Sequence, residues 1–429
     1  MPAHLRSLLL SAWLTVCAAG CAWPGPRAAQ AATASGSAAA APVLKLERVV
    51  MLMRHGVRPP TRAGFAPDGI ADQPWPKWQV DFGELTQHGY DAVRLLGAWD
   101  RTNWAARGLL PVDGCLAAAD IEVAASSKSR TQATARALAE GMAPGCRVEV
   151  RFPAGLADDV EFHPFDARAM PIDADEALRA VQRLAPPGGM RAELEAQSSR
   201  FALMERALGC IAARQASGCR LSAVAPGIVR NEDDRPDIGD PFGLASTISQ
   251  TFLLQYLEGM PMSDVAWGRL TRPQIEDLLV LNSLKFHYEG RAPYVAARAA
   301  SPLASRMFEA MRQGPRLTVL VGHDTNITDL AGLLELHWKV PTYPRDNAPP
   351  GGALGFETLS DASGQTFVRA FYRAQTMDQV RELQALDARN APSYEYLPIP
   401  GCATPCPLAD FERAVRPKLV APLRSRADD

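Results

Sequence analysis

Arg54, His55 and Arg58 stand within five residues of one another, and far downstream His323 is followed at once by Asp324. Two guanidinium forks beside one imidazole suit a tetrahedral oxyanion, because each fork can donate two parallel N–H bonds to its oxygens. A histidine between two arginines is badly placed to hold a cation. It is well placed to attack a phosphorus whose oxygens the arginines hold. Arg130, in Ser126-Ser127-Lys128-Ser129-Arg130-Thr131, offers a third guanidinium. A phosphate monoester needs charge neutralised on three oxygens, an in-line nucleophile and a proton for the leaving oxygen. Arg54, Arg58, Arg130 and His323 can bind the phosphate. His55 can be the nucleophile, forming a phosphohistidine, and Asp324 the proton donor.

These residues need elements that bring them together. Val49–Met53 is an apolar, β-branched run that stops at Arg54-His55-Gly56, and Pro59 and Pro60 forbid an immediate helix. Ile121–Ala125 is a second strand, running into Arg130 and a helix from Gln132 to Gly141. Leu317–Val321 is a third, ending in Gly322-His323-Asp324 before a helix over Ile327–Leu336. Parallel strands put such junctions on one sheet edge, where ligands of α/β folds bind. Gly322 is expected to let the chain turn sharply there. Thr86 should cap a helix that runs to about Arg107, Val148–Val150 is a short strand, and Ala353–Leu359 pairs with Thr366–Tyr372 as a hairpin.

Residues 1–41 are not expected to belong to the fold. An apolar run, Leu8–Ala19, follows His4 and Arg6, and Ala29-Gln30-Ala31 offers a secretory cleavage site. Ala18-Ala19-Gly20-Cys21 offers a second reading, a lipoprotein signal with a lipid anchor at Cys21. No later run is long enough to span a membrane. The chain is therefore expected in the periplasm or outside the cell. A core is expected from 42–157 and 272–429. Helical patterns dominate 158–271 (Ala177–Leu184, Met190–Ala216, Gly243–Gly259), which reads as an insertion or second lobe with a loop at Glu161-Phe162-His163-Pro164.

The net charge of −2 gives no global field for nucleic acid or a membrane surface, so any anion site must be local. Beyond Cys17 and Cys21 there are six cysteines: Cys115, Cys146, Cys210, Cys219, Cys402 and Cys406. An even set in an exported chain reads as disulfides, with the connectivity open and local pairing one hypothesis. No metal and no cofactor is expected. His55, His323 and Asp324 could ligate a metal, but three arginines beside a divalent cation oppose it. A non-catalytic oxyanion-binding protein would want the arginines without needing Asp324 beside a second histidine.

At these residues the chain resembles the histidine acid phosphatases, the secreted branch of the histidine phosphatase superfamily. Arg54-His55-Gly56-Val57-Arg58-Pro59-Pro60-Thr61 resembles their R-H-G-x-R-x-P signature, His323-Asp324 their H-D pair, and Arg130-Thr131 their third phosphate-binding arginine. The chain is similar in particular to bacterial periplasmic phytases and glucose-1-phosphatases. It shares with them Phe252-Leu253-Leu254-Gln255, Gly259-Met260-Pro261 and Pro349-Pro350-Gly351-Gly352. The resemblance implies an α/β fold: a mixed, mostly parallel central sheet flanked by helices, with a second, mainly helical domain and the active site between them. It implies the disulfides Cys115–Cys146, Cys210–Cys219 and Cys402–Cys406. It also implies a monomer acting on a small phosphate monoester, phytate-like or a sugar phosphate. R-H-G is shared with mutases, so a phosphomutase-type transferase is the alternative. Thr61, Arg62, Lys128 and Gln250 are the expected substrate contacts. Gln250 stands where phytases carry an acidic residue, and Ser127-Lys128-Ser129 replaces an acidic pair. Arg62 and Lys128 add positive charge at the expected mouth.

Overall fold

A computed structural model describes residues 44–210, 219–231 and 235–423. The expected leader, with Cys21 and Ala29-Gln30-Ala31, lies outside the described residues, as does the end of the helix expected over Met190–Ala216. The chain runs β1 (Lys45–Arg54), α1 (Gln87–Ala106), β2 (Ile121–Ala125), α2 (Ser129–Met142) and β3 (Val150–Arg151). There follow α3 (Ala174–Gln182), α4 (Gly189–Ala196), α5 (Ser198–Ala207), β4 (Ile228–Arg230), β5 (Pro236–Ile238), α6 (Phe242–Leu257), α7 (Arg272–Gly290) and α8 (Pro293–Gln313). The chain closes with β6 (Leu317–Gly322), α9 (Asp324–Leu334), β7 (Ala353–Ser360), β8 (Thr366–Ala374), α10 (Met377–Arg381), β9 (Ser393–Leu397), β10 (Cys406–Pro407) and α11 (Leu408–Val415).

The main sheet has the order β10-β8-β7-β1-β6-β2-β3, with β9 also on β8. β1, β6, β2 and β3 run parallel, while β7, β8, β9 and β10 join through antiparallel pairs. The mixed sheet expected from sequence is thus present, with β9 and β10 enlarging its antiparallel half beyond the one expected hairpin. Arg54 pairs with Gly322, and Ala125 with Val321. The three parallel strands therefore stop nearly level, and the residues that follow them emerge on one edge.

A strand buried on both faces reads as an unbroken apolar run, and β1 does so for that reason. Val50 and Leu52 pack with Phe252, Leu279, Met307 and Leu330 of α6 to α9. Val49, Met51 and Met53 pack on the other face with Val93, Leu96 and Leu138 of α1 and α2. Each such side chain stabilises the fold by roughly 1.5–3 kcal/mol. Thr86 caps α1 as expected, its Oγ1 accepting the Gly89 N–H at 2.9 Å.

Several boundaries differ from the sequence reading. α2 starts at Ser129, not Gln132, so Arg130 lies inside its first turn. α9 starts at Asp324, because Asn326 Oδ1 accepts the His323 N–H at 2.9 Å and draws the helix start back to that residue. The helix expected from Met190 is two helices, parted at Gln197. The short strand lies at Val150–Arg151. Gly322 does not turn in the left-handed region. It is required for space, since a Cβ there would lie 2.6 Å from Asn326 Oδ1 and 2.7 Å from the Phe162 ring.

The six cysteines form Cys115–Cys146, Cys210–Cys219 and Cys402–Cys406. Among the described residues no helix is long and apolar enough to cross a membrane.

Candidate active site

The loop after β1 is held from both sides by backbone. The Arg54 N–H donates to Gly352 O at 2.9 Å and the His55 N–H to Gly322 O at 3.0 Å. From across the loop, the Gly351 N–H donates to both Arg54 O and His55 O at 3.2 Å. α2 and α1 add one bond each: Gly56 N–H to Thr134 Oγ1 at 3.0 Å, and Thr86 N–H to Val57 O at 3.1 Å. Gly89 of α1 lets that helix approach, for a Cβ there would sit 2.5 Å from Val57 O.

His55 is 1% exposed. Its Nδ1 lies 2.9 Å from the Gly56 carbonyl oxygen, which fixes the hydrogen on Nδ1 and leaves Nε2 as the bare nitrogen. Arg58 Nε reaches Nε2 at 3.4 Å. Arg54 is fully buried, with Nη1 donating to Ala348 O at 2.5 Å and Nη2 2.8 Å from Asp324 Oδ2. Arg130 Nη2 lies 3.4 Å from His323 Nδ1, and the His55 and His323 ring centroids are 5.6 Å apart. The fold therefore gathers Arg54, His55, Arg58, Arg130, His323 and Asp324 into one cluster. Asp324 is the first residue of α9, carried there by the strand end it follows.

Burial first, then Arg58, Arg130, Arg54 and His323, holds the His55 imidazole well below its ordinary value. Removal from water is the largest of these causes, and the neighbouring cations act in the same direction. Burial, then Arg130 and Arg54, pushes the Arg58 guanidinium down to about 9, which leaves it charged in acid. The site thus presents fixed cations and an unprotonated imidazole at once.

A family model of the histidine phosphatase superfamily (branch 2) matches residues 45–178 and 240–373. The chain belongs to this family. It is 33% identical over 411 residues to phytase AppA of Escherichia coli strain K12, covering 89% of this chain and 94% of that one. It is 28% identical to a glucose-1-phosphatase of Salmonella typhimurium strain LT2, over 86% of this chain and 92% of that one. Among solved structures, the Klebsiella sp. ASR1 phytase superposes with a TM-score of 0.80 at 31% identity, covering 88% of this chain and 98% of that one. The Hafnia alvei phytase bound to tartrate gives 0.82 at 31% identity, with the same coverage. The protein is an acid phosphatase, a phosphoric monoester hydrolase.

The phosphatase cluster opens into a cavity of about 330 Å³. Thr61 and Lys128 line it, as do His55, Arg58, Arg130, His323 and Asp324. Arg62 is exposed and does not line it. Gln250 does not line it either; it is buried in α6, and its amide has no hydrogen-bond partner among the described residues.

Sequence reasoning missed three groups here. Asp159, 1% exposed, accepts from the Ser126 hydroxyl (2.9 Å) and from the Ser127 N–H (2.8 Å) and hydroxyl (2.9 Å). Ser126 Oγ lies 3.3 Å from His323 Nε2. His163 lines the cavity with its Nε2 3.2 Å from the same nitrogen. The one signal was the i, i+4 pair Asp159/His163, too common to single out.

Proposed function

We propose that the phosphatase is exported and, as a monomer, hydrolyses phosphate monoesters through a phosphohistidine on His55. The observation that carries this reading is the hydrogen bond from His55 Nδ1 to the Gly56 carbonyl. It commits the proton to Nδ1 and aims the Nε2 lone pair into a cavity whose walls carry Arg58, Arg130 and His323. Arg54, Arg58, Arg130 and His323 hold the phosphate oxygens. Nε2 forms a bond to phosphorus while the ester P–O bond breaks, and Asp324 gives its proton to the departing alkoxide oxygen. In the second step Asp324 takes a proton from water. The water oxygen bonds to phosphorus, the N–P bond breaks and inorganic phosphate leaves. On this reading the segment 158–271 is a lobe that walls the cleft, and residues 1–41 carry the export signal.

For the substrate we propose a small molecule with more than one anionic group. Lys128 and Arg235 line the cavity beyond the reacting cluster. Thr61 and Lys128 are the contacts within reach of such a substrate. The relatives named as phytases, together with an Hafnia alvei phytase structure described as complexed with myo-inositol hexakis sulphate, support an inositol polyphosphate. The relatives named as glucose-1-phosphatases make glucose 1-phosphate the competing substrate.

Replacement of His55 by alanine tests the reading. The expected result is loss of turnover of p-nitrophenyl phosphate and of any acid-labile, base-stable labelled phosphoenzyme. A labelled phosphoenzyme surviving in His55→Ala overturns it. No turnover by the unaltered protein leaves an oxyanion-binding protein, and transfer to a second sugar phosphate without release of phosphate leaves a mutase. Initial rates on phytate and glucose 1-phosphate from pH 3 to 7 decide between the two substrates.

A further inference from the structure

His163 is a histidine that the proposed steps do not use. Its ring stands 5.1 Å from that of His323, with the two Nε2 atoms 3.2 Å apart. On the far side Asp166 Oδ2 lies 3.3 Å from His163 Nδ1, while on the near side Asp159 Oδ2 is 3.9 Å from His163 Nε2. A bond between two ring nitrogens needs one donor and one acceptor, and the neighbours decide which is which. Arg130 Nη2 can only donate, so the His323 Nδ1 it meets at 3.4 Å is bare and the hydrogen of neutral His323 sits on Nε2. Asp166 as a carboxylate accepts from His163 Nδ1–H, which leaves His163 Nε2 bare. His323 Nε2–H then points between His163 Nε2 and Ser126 Oγ.

This arrangement creates a conflict when an ester arrives. The bare His323 Nδ1 repels a phosphate oxygen, and it must gain a hydrogen to bind one. A cation on His323 would stand among Arg54, Arg58 and Arg130, beside the His55 ring. Burial, then Arg130, His163, Arg58 and Arg54, disfavours that cation. Asp324, the next residue in sequence, is already engaged by Arg54. Burial, the largest influence, and Lys128 disfavour a cation on His163 too, but there Asp159 and Asp166 oppose them, with His323 in contact and Arg235 and Asp329 elsewhere around the same cavity.

We propose that His163 is a positioning residue for substrate binding: it shares the Nε2 proton of His323, so that the charge gained when an oxyanion arrives spreads away from the arginines toward Asp166 and Asp159. The proposal rests on the reading of this cavity as the phosphoester site. A proton from solvent bonds to the lone pair of His323 Nδ1, and that N–H turns from Arg130 to the oxyanion. The hydrogen between the two Nε2 atoms shifts toward His163, whose Nδ1–H stays on Asp166. No other bond changes, and the proton returns to solvent when phosphate leaves. The positive charge thus ends between two carboxylates instead of among three guanidiniums.

The test is the pH dependence of kcat/KM for p-nitrophenyl phosphate in the unaltered enzyme, His163→Gln and Asp166→Asn. Glutamine can accept the Nε2–H but cannot take the proton. The falling limb of His163→Gln should move to lower pH by about one unit, a loss that grows to about tenfold at its alkaline end. Asp166→Asn should move it the same way by less. A loss equal at every pH, or no displacement, overturns the proposal while leaving the phosphatase reading intact. A second measurement needs no variant and no turnover. In the unaltered protein labelled with ¹⁵N-histidine at pH 5, sulfate, whose charge is constant there, should move His323 Nδ1 from the bare-nitrogen to the N–H region. Sulfate binding that leaves Nδ1 bare overturns the proposal even if the protein is inactive.

Discussion

Asp324 sits where two demands meet. Its Oδ2 is 2.8 Å from Arg54 Nη2, and it opens α9 at the rim of the cavity that His55 also lines. As proton donor it matters in proportion to how badly the leaving oxygen needs a proton. Asp324→Asn should therefore lower kcat for simple alkyl phosphates by about 10²–10⁴ and cost far less on p-nitrophenyl phosphate, whose phenolate leaves unaided. Parallel rate measurements on the two ester classes check this, and equal losses would remove its role as acid. The same reasoning separates His55 from His323. Both are buried and held below their ordinary values, yet only His55 has its Nδ1 tied to a backbone carbonyl, which leaves a bare Nε2 facing Arg58.

The elements fix where these side chains stand. β1, β6 and β2 end within one residue of each other, and the loop after β1 is pinned by Gly351, Gly352 and Gly322. Helix α1 then closes on that loop at Gly89. A methyl group there would meet Val57 O at 2.5 Å and Val57 N at 2.8 Å, both backbone atoms that cannot swing aside. Gly89→Ala should push the loop by a fraction of an ångström to about one ångström, and displacement of that size at a reacting centre costs up to about 10²-fold in rate. We expect kcat/KM to fall at least about tenfold, with a stability loss of about 1–3 kcal/mol from overpacking. Steady-state kinetics beside a urea titration distinguish the two, and unchanged kinetics would show that the loop tolerates the shift. At this scale the sequence was legible where periodicity was strong. The run Val49–Met53 and the run Leu317–Val321 are the buried strands they read as. α2 was less legible: Ser129 and Arg130 are polar, so the apolar pattern starts only after the helix has begun.

Across the whole molecule, a chain of net charge −2 holds three guanidiniums and three imidazoles against one cavity. Burial in two apolar clusters on either side of the sheet makes this arrangement rigid. Cys115–Cys146 adds a covalent tie across a separation of 31 residues, joining the chain beyond α1 to the chain beyond α2. Removing it with Cys115→Ser and Cys146→Ser together should cost about 2–4 kcal/mol, read as a lowered denaturation midpoint in urea. A midpoint equal to that of the unaltered protein would show that packing of α1 on α2 alone holds these segments.

Sequence alone determined that Arg54, His55, Arg58, His323 and Asp324 would meet. Each lies at or within a few residues of the end of a buried strand, and parallel strands of one sheet leave their ends on one edge. Tertiary structure alone decided the rest. Arg62 and Gln250 were expected at the substrate; the first is exposed, the second is buried in α6, and neither lines the cavity. His163 and Asp159 join the site, meeting Ser126 at the end of β2, because the connection after β3 folds back over the sheet edge, where Asn326 Nδ2 donates to Phe162 O at 2.8 Å. An irregular connection has no repeating pattern to say which way its side chains face. Its direction is set by what it packs against, and that becomes visible only once the chain has folded.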